Sequence, residues 1–142
     1  MKRIILIGPI GCGKTTLRQE IQKTTKSYKK TQTIEYFHDI IDTPGEYIEN
    51  RNYYSALIVS SVDCDVIGLT FDCSRKYYPL PPNIGPIFLK PVIGIVTKVD
   101  LCNEEDLKIA EQMLKVSGAE RIFKVSSKTG QGIEELREYL YK

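Results

Sequence analysis

"GPIGCGKT", residues 8–15, decides how the rest of this 142-residue chain is read. It fits the pattern G-x-x-x-x-G-K-[ST], which carries meaning only between a strand and a helix. Both neighbours are present. "RIILIG" (3–8) is a short, continuous apolar run, as in a buried strand. "TTLRQEIQKT" (15–24) puts Leu17 and Ile21 on one helical face. Gly8, Gly11 and Gly13 allow backbone shapes that side chains block, and let a ligand come close. Successive main-chain N–H groups then form an anion nest, and the helix adds its positive end. Lys14 is expected to reach terminal phosphates and the Thr15 hydroxyl to ligate Mg²⁺. Cys12 and Thr16 complete the expected phosphate set, Cys12 as a filler rather than a reactive thiol. The competing reading is a glycine-rich turn with a chance lysine, and the strand–loop–helix order weighs against it.

Further along, "TIEYF" (33–37) alternates like a strand and "IID" (40–42) reads as a short one. Residues 48–62 suit a helix, with Tyr54, Leu57 and Ile58 aligned. Residues 65–72 and 92–97 are buried strands. An amphipathic helix over 104–117 stops at Gly118, a C-terminal cap. A strand (121–126) and a helix (133–142) close the chain. Strands alternating with helices predict an α/β fold, a parallel sheet covered on both faces, within a single domain spanning 1–142. Residues 73–90, with prolines at 79, 81, 82 and 86, predict a long loop in place of a crossover helix.

"DTPGE" (42–46) follows the strand at 40–42. Beside a phosphate loop, Asp42 suits the Mg²⁺ shell through water, and Gly45 can offer its N–H to a terminal phosphate. Alone, the same letters are an ordinary turn. Glu46 stands where a glutamine would orient an attacking water. A carboxylate lacks the amide donor and brings negative charge towards phosphate, so hydrolysis through Glu46 is expected to be poor, unless Glu46 simply faces solvent. In the basic loop 26–33, Thr31 is the first choice for closing onto Mg²⁺ and Thr33 the second, against a plain solvated loop.

"TKVD" (97–100) ends the strand 92–97, at the edge where parallel sheets bind ligands. Asp100, an acceptor only, matches the two donors of guanine, N1–H and the 2-amino group. Adenine presents an acceptor there instead. The Lys98 stem can cover the base, while Thr97 makes fewer contacts than an asparagine would. In "SSKTG" (126–130), Ser126, Ser127 and Lys128 are candidates near the guanine O6, against a plain serine-rich turn.

Hydrophobic residues are 42% and charged residues 27%, with net charge +2. That balance argues neither for nucleic acid nor for a membrane. No run approaches the ~18 apolar residues of a membrane span, and no targeting extension is expected before the first strand. At this length folding buries about 68–70% of the unfolded surface. Cys12, Cys64, Cys73 and Cys102 show no CxxC spacing and His38 is the sole histidine, so reduced thiols are expected rather than zinc.

Taken in order, "GPIGCGKT", "DTPGE", "TKVD" and "SSK" resemble the motifs of the Ras-like GTPase superfamily. More narrowly, residues 42–69, 90–101 and 118–136 resemble the EutP/PduV proteins of ethanolamine and propanediol utilization. This resemblance implies a P-loop nucleotide-binding domain whose six-stranded sheet wraps around the phosphate loop. It also implies a bacterial cytoplasmic setting with an association to microcompartment shell or pathway proteins.

The leading expectation is a Mg²⁺-dependent GTP/GDP-binding protein with slow hydrolysis, a monomer or weak dimer. One alternative is an ATP-dependent small-metabolite kinase, with Arg75 and Lys76 as basic groups over the site. Another is a docking module using "KYYPLPP" (76–82), against tyrosines that pack on their own sheet edge.

Overall fold

The computed structural model describes residues 2–9, 11–28, 39–43, 45–75 and 80–141, with the side chains of 22–28 and 46 outside that set. Five strands form one parallel sheet: β1 (Ile4–Ile7), β2 (Ile40–Asp42), β3 (Val66–Asp72), β4 (Val92–Thr97) and β5 (Arg121–Lys124). Their order is β2-β1-β3-β4-β5. Ile4 pairs with Ile40 on one side and Val66 on the other. Phe71 pairs with Val96, and Val96 with Lys124. The expected strand at 33–37 and the candidates Thr31 and Thr33 lie outside the described residues. The sheet described therefore has five strands where the resemblance implied six.

Continuous apolar runs follow from burial on both faces. In β1, Ile5 and Ile7 join a core with Ile67, Leu69, Leu57 and Leu114. Ile4 and Leu6 face the opposite way, with Leu17, Ile21, Phe123 and Leu136. The helices covering the sheet are α1 (Lys14–Tyr28), α2 (Glu46–Glu49), α3 (Tyr54–Ser61), α4 (Glu104–Val116) and α5 (Ile133–Tyr141). Asn103 caps α4 in a reciprocal box with Asp106, which satisfies two amides that the first turn leaves open. Gly118, at φ +113°, ends it as expected.

Two expectations need correction. The single helix over 48–62 is broken: Asn50 is extended (φ −131°, ψ 117°), and its side chain accepts from the Asn52 N–H to start a 3₁₀ turn before α3. That local side-chain bond competes with the helix ladder. Nor are all four thiols free, since Cys73 and Cys102 form a disulfide while Cys12 and Cys64 stay reduced and buried. Wide sequence spacing hid that pair. Of the loop expected over 73–90, residues 73–75 and 80–90 are described and carry no α-helix. Leu80, Ile84 and Phe88 anchor it in the core, with a 3₁₀ turn at Gly85–Ile87.

Candidate nucleotide site

The strand order runs outward in both directions from between β1 and β3, so a crevice opens there beyond the carboxyl ends. A cleft of about 560 Å³ lies at this edge, lined by Gly11, Gly13, Lys14, Thr15, Thr16, Asp42, Thr43, Gly45 and Lys98.

The phosphate loop owes its shape to backbone. Gly11 (φ +78°) and Gly13 (φ +93°) adopt left-handed conformations that side chains disfavour. Gly8 is needed for another reason: a Cβ there would collide with the Thr70 hydroxyl and come within 2.8 Å of the Thr70 carbonyl. Cys12 is turned away from the cleft, its sulfur 2.9 Å from Thr70 Oγ1. Lys14 begins α1 and is only 7% exposed. Its ammonium donates to the Gly8 carbonyl at 2.8 Å and the Pro9 carbonyl at 3.2 Å, within the loop itself.

Next to this loop, Thr15 Oγ1 donates to Asp42 Oδ2 at 2.7 Å. Arg18 Nε lies 3.8 Å from the same oxygen. Asp42 Oδ1 is buried without a hydrogen-bond partner among the described residues. The Thr15 hydroxyl and the Asp42 carboxylate, whose Oδ1 is left unmatched, form a pair of hard-oxygen groups of the kind that Mg²⁺ takes. Gly45 borders the cleft at the start of α2, and Glu46 is the first residue of that helix.

The loop that follows β4 is bound to the phosphate loop by side chains. Thr97 is 4% exposed, and its hydroxyl donates to the Cys12 carbonyl at 2.5 Å. Thr97 was expected merely to make fewer contacts; instead it fastens two loops together. Lys98 sits in the left-handed region (φ 61°). Its ammonium reaches the Gly11 carbonyl at 3.0 Å and Asp72 Oδ2 at 2.9 Å. Asp100, in the 3₁₀ turn Val99–Leu101, is exposed, and Ser126 Oγ donates to its Oδ1 at 2.7 Å. Ser126 is fully buried and also accepts from the Thr129 N–H, which leaves Ser127 half-buried and Lys128 exposed on the turn. Arg75 reaches across to Gly11: a Cβ on that glycine would stand 3.0 Å from a guanidinium nitrogen. Lys76 and its neighbours to 79 lie outside the described residues.

Sequence reading missed Asp72. It ends β3, is 3% exposed, and accepts from the Ser74 N–H and hydroxyl at 2.9 and 2.6 Å. Burial by itself would raise its carboxyl pKa. Hydrogen bonds from Ser74 and Lys98, with the Lys98 charge, outweigh burial and hold it below the ordinary 3.8. An aspartate closing an otherwise apolar strand was the available signal, since a buried carboxylate needs a partner.

Known proteins bear on this arrangement. The chain is 41% identical over 140 residues to "Propanediol utilization protein PduV" of Citrobacter freundii, covering 99% of this chain and 93% of that one. It is 32% identical over 143 residues to "Probable acetate kinase EutP" of Escherichia coli K12, covering 99% and 89%. Among solved structures, translation elongation factor SelB of Methanococcus maripaludis with the GTP analogue GPPNHP superposes with TM-score 0.68 at 19% identity. That match covers 99% of this chain and 33% of SelB, so it bears on the fold alone, which is the G-domain fold of P-loop GTPases. The family model for ethanolamine utilisation and propanediol utilisation matches residues 1–142, and the chain belongs to this PduV-EutP family.

Proposed function

We propose that this chain, folded as one nucleotide-binding unit, is a Mg²⁺-dependent guanine-nucleotide-binding protein with slow GTP hydrolysis. Its work lies in the propanediol and ethanolamine utilisation systems of the bacterial cytoplasm, with shell or pathway proteins of microcompartments as partners. The observation that carries this reading is Asp100. It is exposed at the same sheet edge as the phosphate loop, with one carboxylate oxygen held by Ser126. A carboxylate steadied in that way accepts from guanine N1–H and the 2-amino group, and meets an acceptor in adenine. Main-chain amides of the loop, with Lys14, Thr16 and Gly45, bind the phosphates. Thr15 and Asp42 would hold Mg²⁺, which supplies charge neutralisation between phosphate oxygens when bound. Thr31 remains the proposed switch ligand, and Ser127 and Lys128 complete the base pocket.

Competition calorimetry tests the reading. GDP and GTP bind at least about tenfold tighter than ATP, since a buried polar mismatch costs more than ~1.4 kcal/mol. Asp100→Asn, which supplies a donor, moves preference towards xanthine nucleotides, whose 2-position is a carbonyl. Equal affinity for ATP and GTP removes the role given to Asp100.

A second reading rests on the EutP relatives, 30–32% identical over nearly the whole chain, whose name is "Probable acetate kinase". Arg75, lying over Gly11, is placed to meet an anionic acceptor or a transferring phosphoryl group. Nucleotide turnover that rises strongly with added acetate, and is lost in Arg75→Ala, establishes the kinase. Turnover indifferent to acetate, other short acids and amines favours the GTPase.

A further inference from the structure

From the disulfide and its surroundings we infer that Cys73 and Cys102 are an oxidisable thiol pair that sets how fast nucleotide leaves the base pocket. This rests on the nucleotide-binding reading and adds a regulation to it.

The two cysteines bracket the base-side machinery. Cys73 directly follows Asp72, which holds the Lys98 ammonium. Cys102 directly follows the 3₁₀ turn that carries Asp100. Their Cα atoms are 6.3 Å apart, a separation that a disulfide spans without moving the backbone. The sulfurs also touch the loop between them. Cys73 Sγ lies 3.2 Å from the Thr97 carbonyl and 3.3 Å from the Lys98 carbonyl, and Cys102 Sγ lies 3.7 Å from the latter. Two chemical states therefore act on one short stretch. As thiols, each S–H is a weak donor to a carbonyl of Thr97 or Lys98. As a disulfide, both donors are gone and a covalent tie joins the end of β3 to the far side of the "KVD" turn. Lys98, left-handed and bound to both Gly11 and Asp72, is pinned from two sides in that state.

The exchange balances with a low-molecular-weight disulfide as oxidant. The Cys102 thiolate, on the more exposed residue, attacks one sulfur and releases one small thiol. The Cys73 thiolate then attacks Cys102 Sγ in the mixed disulfide and releases the second. Two protein thiols become one disulfide, and one small disulfide becomes two small thiols. The remaining cysteines are poor competitors. Cys12 and Cys64 are each 1% exposed, and burial raises the Cys64 thiol further above its ordinary value.

The test uses the full chain with Mg²⁺ and a fluorescent methylanthraniloyl-GDP, chased with unlabelled GDP. One sample is equilibrated with oxidised glutathione and the other with dithiothreitol. After quenching and unfolding in guanidinium, which exposes the buried thiols, two of the four cysteines titrate in the oxidised sample and all four in the reduced one. Release is roughly fivefold faster from the reduced protein, the low end of coupling between linked sites. Cys102→Ser releases at the fast rate in both samples, and Cys64→Ser keeps the full difference. If Cys102→Ser fails to fold, the wild-type comparison decides alone. Four titratable thiols after oxidation, or equal release rates in the two states, overturn the inference and leave the nucleotide reading standing. Failure to bind the labelled GDP in either state overturns the nucleotide reading, and this inference falls with it.

Discussion

The two halves of the cleft are built by different means. On the phosphate side the loop of residues 8–15 largely shapes itself, with two left-handed glycines and a lysine that folds back onto carbonyls five and six residues away, while Gly8 against Thr70 and Thr15 against Asp42 tie it to the rest of the fold. The side built on the loops after β4 and β5 is assembled from distant stretches. Thr97 reaches back 85 residues to Cys12, Lys98 reaches 26 to Asp72, and Ser126 reaches 26 to Asp100. A locally made site declares itself in consecutive letters. A site assembled across the sheet depends on which strands become neighbours, and so on the fold itself.

The contrast makes its sharpest demand at Lys14. Lys14→Ala removes the ammonium that the loop cradles, and GDP affinity falls by roughly a hundredfold or more, a loss of about 3 kcal/mol for bonds to a charged group. Calorimetry reads it directly, with circular dichroism confirming the fold. A much smaller loss means that backbone amides suffice, and that the phosphate half is even more self-contained than described.

Asp72→Asn probes the assembled half. It leaves the Lys98 ammonium without its charged partner and weakens GDP binding by about tenfold, since charge-assisted bonds are about twice as strong as neutral ones. The same variant carries a pH signature. Asp72 titrates below its ordinary 3.8 in the folded protein, so the unfolded chain takes up that proton first. Its contribution to stability is complete above about pH 4 and is lost as pH falls through the lower folded value. Urea melts at pH 7 and pH 3 therefore show a smaller acid-induced loss for Asp72→Asn than for the parent. Equal losses mean that Asp72 owes its low pKa to nothing specific to the fold.

Thr97→Val keeps the shape and deletes the hydroxyl tie between the halves. The Cys12 carbonyl loses a buried partner, which costs about 1 kcal/mol and roughly fivefold in GDP affinity. An unchanged affinity shows that the Lys98 bridge alone couples the two halves. The smallest expected change is at Glu46. Glu46→Gln supplies an amide donor and raises single-turnover GTP hydrolysis by a few fold, with GDP affinity unaltered. No change assigns Glu46 to solvent.

Legibility followed the same division. The inner strands β1, β3 and β4 were readable because burial on both faces leaves long apolar runs, as in residues 4–7 and 92–97, whereas the edge strands β2 and β5 are shorter and partly exposed and were read from their place in the alternation with helices. The break at Asn50 was not, because Tyr54, Leu57 and Ile58 keep helical spacing on either reading and one side-chain bond decides the matter. Thr15 and Asp42 were named from motif letters, and they meet at hydrogen-bond distance. Asp72 and the Cys73–Cys102 pair escaped notice because their importance lies in what β3 and β4 bring together. Periodicity cannot convey adjacency between residues 72 and 98, or between 73 and 102.

Lys98 is one of two non-glycine residues with positive φ among those described. A left-handed backbone at a lysine carries a conformational penalty of about 1 kcal/mol or more. Lys98→Gly would relax the peptide while deleting the cation that spans the roof of the cleft. Tension at that turn and the tie from Lys98 to both Gly11 and Asp72 thus have a single origin, and mutations that ease the backbone there leave a more comfortable protein with its loops less firmly joined.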